Sequence, residues 1–558
     1  MADPTRRSSL STDMLRFETN REEHLRRNAT ILFIQWASTA MLFFSAVWFV
    51  VTTIHWPLVG DAALMHYVVF LMDHGRAPYR DITDINLPGA YLPDWLVMHI
   101  FGVSALAWRI YDLFLLALAG LAFLKIIRPA SWFAGLWAAV LFAVLHGRDG
   151  MYETGQRDLT VAVLLLCAVA VLFRGVPRRI WTSFGFGLCT GAAALIKPTA
   201  LPFLLLAGPL LWDEYKSKKL IWQHISFVAA GALLPGCTAL VWLAHHGALA
   251  SFFLIERTLT PFHASLGRRP LESMLRHSLS PIMPVVIVWL LLLLIAPVLI
   301  ALEGRPSIYN LSSSLHTVQR QTLLLGAELG MLAYILQGKD FQYHRYSLLA
   351  FLLAVIASDL DTWMRRKDLL RSMSAAVFLA SSLCIGVTSA VVASRYNWKN
   401  QEFRSSLESD LARIATEIGT TTLSGKVQCL DSVFGCVSTL NDLQLLQTSG
   451  FLYDEFLFSP ARVPAVDQSR ALFWHAMQAD PPAILIVTER LFPNGPNSYE
   501  KLNQWPAFAN WMNTRYILEV ERPAMHLVRQ GGAAFRPRGY RIYVQSELLQ
   551  PPIKNLSR

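Results

Sequence analysis

Charge is scarce in this chain of 558 residues: Asp, Glu, Lys and Arg together make up 16%, against 54% hydrophobic residues. That balance excludes an ordinary soluble globular protein and points to a bilayer. Cysteine is sparse as well. Six cysteines with no CxxC and no Cys/His spacing exclude a disulfide-framework scaffold and a zinc-finger type of site. Cys167, Cys189, Cys237 and Cys384 fall inside apolar runs, where a thiol behaves as a small hydrophobe. Only Cys429 and Cys436 lie in polar surroundings, and they can pair as a disulfide if that region is outside the cytoplasm. The net charge is +10, yet the basic residues form no stripe with interleaved aromatics, which excludes nucleic acid as a partner. They sit instead at the ends of apolar runs. There is no internal repeat, no low-complexity segment, and no phosphate-loop or dinucleotide fingerprint.

What the chain does have is long hydrophobic runs. Residues 1–30 are polar and lead into ILFIQWASTAMLFFSAVWFVVTTI, a run of 24 residues, long enough to span at ~1.5 Å per residue. It has no small-residue cleavage site after a short apolar core, so it reads as a retained signal anchor. Residues 92–101 read as a short interfacial or re-entrant helix and 105–127 as a second span. Further spans are expected near 131–146, 158–173, 180–196, 199–212, 221–245, 279–302, 321–337, 346–360 and 373–393. The expected class is a polytopic α-helical membrane protein with about 11 transmembrane helices (range 10–13), several of them shorter than a full span.

Orientation follows from the Lys and Arg in the loops. With the N-terminus inside, segments 1–30, 125–130, 174–179, 213–220, 303–320 and 361–372 are cytoplasmic and hold 20 Lys or Arg, about twice the opposite side over less length. An odd number of spans then places residues 394–558 outside. In this tail the charges balance, with 17 Lys or Arg and 15 Asp or Glu, and the apolar runs shorten. Residues 451–458 and 482–488 read as buried strands, 400–418 and 468–479 as amphipathic helices, and the whole as an extracytoplasmic α/β domain. The expected organisation is a cytoplasmic segment 1–30, a transmembrane domain 31–393 and this outer domain 394–558.

Between the first two apolar segments runs a loop of nearly forty residues, 55–92, in which Asp61, Asp73, Asp81 and Asp84 alternate with Trp, Tyr, Pro and Gly. Loops this long are functional or disordered, and its aromatic content argues against disorder. Three further polar clusters fall on the same outer side: residues 146–158 (HGRDGMYETGQRD), Lys197 in ALIKPTAL, and residues 337–346 (QGKDFQYHRY). Ionisable groups in apolar surroundings are costly and often functional. Asp61 follows a Gly and precedes AALMHYVVFLM, where a carboxylate could act as general base on an acceptor hydroxyl or simply complement a helix N-terminus. Asp158, beside Arg157, has the same two readings, and Asp81 and Asp84 in YRDITDINLPG are equally turn or cap residues. Lys197, beside Pro198, lies outside against the positive-inside trend, and a lipid-linked phosphate there would need such cations. His344 and Arg345 at the edge of a span are either further phosphate ligands or snorkelling interfacial residues.

The stretch GDAALMHYVVFLMDHGRAPYRDITDINLPGAYLPDWLVMHIFGVSALAWRIYDL resembles the opening of the GT-C membrane glycosyltransferases, whose members include protein O-mannosyltransferases and the aminoarabinose transferases that modify lipid A. The resemblance rests on an acid just after the first span, a G-x-x-P-Y turn ending at Tyr79, an Asn-x-Pro-Gly-x-Tyr stretch beginning at Asn86, and an F-G-x-S-x-x-A-x-R run. It continues in GQRDLTVAVL, LCTGAAALIKPTAL and HRYSLLAFL and covers roughly residues 30–360. It implies a polyprenyl-phosphate-linked sugar as donor, bound from the outer face, and an inverting displacement onto a glycan, lipid or protein acceptor. Asp61 matches the first catalytic acid and Asp158 the second. Lys197, His344, Arg345 and Arg157 are then assigned to the leaving phosphate, whose developing charge needs cations. Tyr79, Asp81, Asp84, Asn86 and Glu153 are assigned to the loop and acceptor side. Many relatives carry Asp-Glu at the first acid, whereas Asp61 is followed by Ala62, so any role of that second acid falls to Glu153, Asp81 or Asp84 or is absent. Loop carboxylates could bind a divalent cation such as Mg or Mn, but no spacing fixes a cage. The family suggests a bacterial cytoplasmic membrane with a periplasmic acceptor. The competing class is a transporter or a flippase for lipid-linked sugars, which should place its charges near the midplane, often in repeated halves.

Overall fold

A computed structural model describes residues 5–127, 132–175, 180–216, 221–302, 314–366, 369–396, 401–431, 435–489, 491–493, 498–523, 528–530, 533–535 and 539–549. Much of the basic loop sequence used above for orientation (128–131, 176–179, 217–220, 303–313, 367–368) lies outside these residues, as do 1–4. The helices up to residue 396 are α1 (Thr5–Thr53), α2 (Gly60–Asp73), α3 (Leu92–Phe101), α4 (Ala105–Ile126), α5 (Trp132–Arg148), α6 (Arg157–Gly175), α7 (Ile180–Ile196), α8 (Gly208–Lys216), α9 (Ile221–His245), α10 (Leu249–Ser265), α11 (Leu271–Ser278), α12 (Met283–Leu302), α13 (Ser314–Gln337), α14 (Tyr346–Met364), α15 (Leu369–Ser381) and α16 (Thr388–Ala393).

Among the described residues, five helical stretches are long and apolar enough to cross a bilayer: Ala29–Thr53, Ala105–Ile126, Ile221–His245, Gln342–Met364 and Leu369–Ala393. A sixth arises if α11 and α12, which meet at 80°, count as one broken span. The other apolar helices are shorter. α5 and α7 have 17 residues each, and the expected 199–212 span is a 3₁₀ helix, Pro198–Ala207, running into α8. Pro198 and Pro202 remove two backbone donors there, which favours the tighter, shorter winding.

The bundle is organised around α14. Its apolar window is 89% buried, because α5, α6, α13 and α15 surround it, whereas the corresponding window of α9 is 17% buried. On α1, Leu42 and Phe49 point into the core while Phe33, Trp36 and Phe43 stay about 70% exposed. An exposed apolar stripe of that size has no place in water and fits lipid. The chain is an integral membrane protein. Without a hydrophobic drive between helices in lipid, close packing relies on small residues. On α7, a side chain at Gly187 or Gly191 would come within 2.1 and 2.3 Å of the backbone of α9, and Gly231 of α9 returns the same contact to Phe184. Glycine on both helices fixes how α7 lies, and hence where Lys197 at its end comes to rest.

The C-terminal part starts with α17 (Gln401–Glu417) and builds a four-stranded sheet of order β1-β2-β6-β3 from β1 (Val427–Leu430), β2 (Ile484–Thr488), β3 (Tyr516–Arg522) and β6 (Tyr540–Gln545). β1 and β2 are parallel and the other pairings antiparallel; β4 (Val528–Gln530) and β5 (Ala533–Phe535) form a separate hairpin. Helices α18 (Cys436–Asp442), α19 (Glu455–Phe458), α20 (Pro464–Ala479) and α21 (Pro506–Arg515) accompany the sheet. The 482–488 run is a strand, as its buried β-branched residues suggest. The 451–458 run is not. It makes isolated bridges at Phe451 and Tyr453 and then turns into α19, where the Leu457 and Phe458 amides donate to the Asp454 carbonyl. A short, continuously apolar run is buried equally well as strand or helix, and here Asp454 also pairs with buried Lys501 at 2.5 Å. Cys429 and Cys436 form a disulfide, and Cys167, Cys189, Cys237 and Cys384 are free thiols.

This unit sits on the first loop. The Thr83 amide donates to the Gly450 carbonyl at 2.9 Å, Arg76 Nη2 to the Gln447 carbonyl at 2.8 Å, and the Tyr453 hydroxyl to Asp84 at 3.1 Å. Tyr67 of α2 bridges the same segment, donating to the Leu445 carbonyl and accepting from the Gln447 amide.

Candidate active site

Helices that alternate in direction bring the end of α1, the starts of α4, α6 and α14, and the ends of α5, α7 and α13 to one end of the bundle. The four polar clusters of the sequence meet there. Asp61, in the first turn of α2, is approached on Oδ2 by Arg157 Nη2 at 3.6 Å and by the Tyr343 hydroxyl at 3.5 Å. Asp158, next along α6, pairs with the Lys197 ammonium at 2.7 Å. Lys197 also donates to Gln337 Oε1 at 2.7 Å and lies 5.7 Å from the centre of the Tyr343 ring. Asp61, Arg157, Asp158, Lys197 and Tyr343 thus form one continuous cluster drawn from α2, α6, the end of α7 and the turn before α14. Asp61 is its most open member, with 30% of its side chain exposed.

His344 lies beside this cluster, buried, with Nδ1 lacking a hydrogen-bond partner. The charges of Lys197, Lys339 and Arg157 all act on its ring. Arg345 points elsewhere. Its Nη2 meets Asp149 at 2.5 Å and its Nη1 donates to the His277 carbonyl at 3.1 Å, so it ties the 146–156 segment to α11. Lys339 is the residue that sequence reasoning passed over, although it belongs to QGKDFQYHRY. Burial pushes its ammonium down to about 8, with Glu455 pulling upward and Lys197 adding repulsion. Its position 5.1 Å from the centre of the Phe492 ring was not visible in the sequence, because Phe492 belongs to the C-terminal unit.

The remaining assigned residues are brought together around the first loop and behind it. The Tyr79 hydroxyl donates to the Asn86 carbonyl at 2.5 Å, and the Asn86 side-chain amide donates to Asp84 at 2.7 Å. Asp84 is fully buried, which raises its carboxyl above the usual range, and its Oδ2 has no partner. Asp81 accepts from the Ala77 amide at 2.8 Å and pairs with Arg80 at 2.8 Å, closing its own turn on the loop's outer side. Gly89, in the Asn-x-Pro-Gly-x-Tyr stretch, lies against the backbone of Leu195, where a Cβ would come within 2.8 Å; only glycine lets the loop sit on α7 two residues before Lys197. Glu153 is buried behind the cluster and accepts from the Tyr346 hydroxyl at 2.8 Å. Burial, reinforced by nearby Asp149, raises its carboxyl well above normal. Among the described residues no three His, Cys, Asp or Glu side chains converge as a metal cage.

The fold and the cluster together define a class: a polytopic helical membrane protein with a partly exposed acid beside a cluster of buried cations, under a domain seated on its first loop. The particular fold is one already seen in a solved structure. The chain is similar to ArnT from Cupriavidus metallidurans bound to undecaprenyl phosphate, with a TM-score of 0.52, 11% identity, and coverage of 92% of this chain and 99% of that one. The apo state of the same protein gives a TM-score of 0.50 at 13% identity, covering 92% and 98%. No protein-family model matches the sequence, and no curated protein matches it significantly.

Proposed function

We propose that this chain is a membrane glycosyltransferase that moves a hexose or pentose from a polyprenyl-phosphate-linked donor onto an acceptor outside the cytoplasm: an envelope glycolipid, polysaccharide or protein. The observation that carries this reading is the gathering of a partly exposed acid, Asp61, and the basic residues Arg157, Lys197, Lys339 and His344 at one end of the bundle. In an inverting step Asp61 takes the proton from the acceptor hydroxyl as its oxygen attacks the anomeric carbon. The bond from that carbon to the phosphate oxygen breaks, and the lipid phosphate leaves with the electron pair. Charge then grows where Arg157, Lys197 and Lys339 already stand, which is the preorganised arrangement that lowers such a barrier. Asp158 holds Lys197 in place. The structurally similar ArnT binds undecaprenyl phosphate, which supports a polyprenyl phosphate as the carrier here.

The membrane arrangement belongs to the same reading: about 11 spans, the N-terminus in the cytoplasm of a bacterial inner membrane, and residues 394–558 in the periplasm as an α/β domain. The Cys429–Cys436 disulfide supports an oxidising compartment for that unit. A flippase for lipid-linked sugars is the rival reading, and it predicts charges near the midplane rather than at one end. The test is made in proteoliposomes with undecaprenyl-phosphate sugars labelled in the sugar, beside a fluorescent donor analogue for translocation. Appearance of undecaprenyl phosphate with label on an acceptor or in water supports transfer; translocation without bond cleavage sinks it.

Lys339 makes this reading sensitive to pH. Its ammonium is charged below about 8 and neutral above, so a phosphate held in part by Lys339 is lost as pH rises through that value. Undecaprenyl phosphate is itself already dianionic there, its second pKa being about 6. Affinity for undecaprenyl phosphate is therefore expected to fall by about tenfold between pH 7 and 9.5, the loss of one charge-assisted contact. In Lys339→Arg that fall should disappear, since a guanidinium keeps its charge. An identical profile in the two proteins would remove Lys339 from the phosphate site.

A further inference from the structure

A cavity of about 670 Å³ lies away from the charge cluster, between the C-terminal ends of α2 and α9, the G-x-x-P-Y turn and α3. Its walls bring together Arg76, Arg80, Trp95, Trp242, His245 and His246, with one carboxylate, Asp73, which is turned to His99 Nε2 at 3.5 Å. Arg80 is committed: it pairs with Asp81 and donates from Nη1 to the His246 carbonyl at 3.1 Å, joining the first loop to the end of α9. Arg76 is different. Its Nη2 donates to backbone carbonyls of Gln447 and Thr448, and among the described residues no carboxylate forms an ion pair with its half-buried guanidinium, Asp81 acting on it only from farther off. Trp95 lies stacked with His99 at 4.5 Å and Trp242 tilted on His246 at 4.9 Å, so both indoles are held by neighbours on the cavity wall. A cation with no ion-pair partner among the described residues, on a wall shared with two oriented indoles, suits one chemistry: sugar rings, whose apolar faces lie on aromatic rings, carrying an anionic substituent.

Position narrows the occupant further. From Asp61 to Met72, which lines the cavity, α2 runs for eleven residues, or about 16 Å. That is beyond a single sugar attached at the reacting centre. It is within reach of an extended chain whose other end is being modified. The walls also belong to the loop that carries Asp61 and, through Arg76 and Gln447, to the C-terminal unit, so filling the cavity acts on the same loop as the chemistry.

We infer that this cavity is a second binding site for an anionic oligosaccharide, the part of the acceptor remote from the hydroxyl that receives the sugar. The inference builds on the transfer reading above, but its test does not use transfer. Tetragalacturonic acid and its fully methyl-esterified form present the same rings with and without charge. Their binding is measured by calorimetry on the full chain in nanodiscs of zwitterionic lipid, without donor. The acid is expected to bind saturably and the ester about tenfold more weakly or worse, the difference of one charge-assisted pair. Arg76→Gln should abolish the preference for the acid, and Arg76→Lys should restore part of it. Trp242→Ala should weaken acid and ester alike, and because Trp242 bears no interdomain bond it also guards against a misfolded Arg76 variant. Absence of saturable binding, or binding that none of these variants alters, overturns the site. An anionic phospholipid that copurifies with wild type, and is lost in Arg76→Gln while the acid still binds unchanged, also overturns it by making the cavity a lipid site. Transfer activity in wild type together with no tetramer binding would leave the enzymatic reading standing and this one refuted.

Discussion

Asp61→Asn is expected to lower sugar transfer by about 10²–10⁴-fold, the contribution of a positioned general base, while undecaprenyl phosphate still binds. The substitution separates the two readings of this residue that the sequence left open. If Asp61 merely complements the N-terminal end of α2, Asn loses only the dipole interaction of about 0.3–1 kcal/mol, too little to affect catalysis. If it accepts the acceptor's proton, an amide of the same shape cannot replace it. The structure favours a small cost in stability. Both neighbours of Asp61 are distant, 3.5 Å to the Tyr343 hydroxyl and 3.6 Å to Arg157, and the side chain is 30% exposed. Asp158→Asn provides the contrast. It removes the partner of Lys197 at 2.7 Å and leaves a buried ammonium unpaired, so its loss of transfer should come with weaker lipid-phosphate binding and a lower melting temperature. Transfer by Asp61→Asn within a few-fold of wild type, at matched protein levels, would exclude the base mechanism proposed here.

How much of this could be read beforehand depends on the distance over which each signal acts. Helices that face lipid were legible, because α1 and α9 advertise themselves by uninterrupted apolar length. The short helices α5 and α7 and the 3₁₀ turn after Lys197 were harder, since burial among protein neighbours makes the ~20-residue requirement less strict. Within the cluster, Asp61, Arg157, Asp158, Lys197 and His344 each stood out by interrupting an apolar context. That Arg157 belongs to Asp61 and Lys197 to Asp158 was not legible, because pairing between helix ends depends on how glycine-bearing α7 and α9 pack. The partner of Arg345 was hidden for the same reason. Asp149, which lies against it, is nearly two hundred positions away in the sequence. In the C-terminal unit, the 451–458 run had strand composition but helix surroundings.

The largest effect on stability is expected below the cluster, at Asp112. The F-G-x-S-x-x-A-x-R run ends in Arg109, one helical turn before it, and both side chains are fully buried in α4. Arg109 donates to the Thr53 carbonyl at 3.1 Å and to its hydroxyl, with its guanidinium within about 5 Å of the Phe49 and Trp56 rings, so it closes the C-terminal end of α1. Asp112 pairs with Arg109, contacts His146 Nε2 at 3.1 Å, and accepts from the Gly155 amide at 3.1 Å. His146 in turn meets the Tyr346 hydroxyl at 2.8 Å, and Tyr346 donates to Glu153 at 2.8 Å. One buried carboxylate therefore ties α1, α4, α5 and α14 to the segment that leads into Arg157. Asp112→Ala leaves the Arg109 charge uncompensated where no water reaches it, and removing one member of such a pair costs about 3–5 kcal/mol. Thermal unfolding in detergent should show a correspondingly large drop. The double variant Arg109→Leu/Asp112→Leu is expected to lose less than the two single losses combined, because it removes both charges and leaves neither stranded. Part of the loss should remain, since the end of α1 and the Gly155 amide still forfeit their partners. Melting of Asp112→Ala within about 1 kcal/mol of wild type would mean that water or a rearranged His146 compensates Arg109, and that the network is dispensable to the fold.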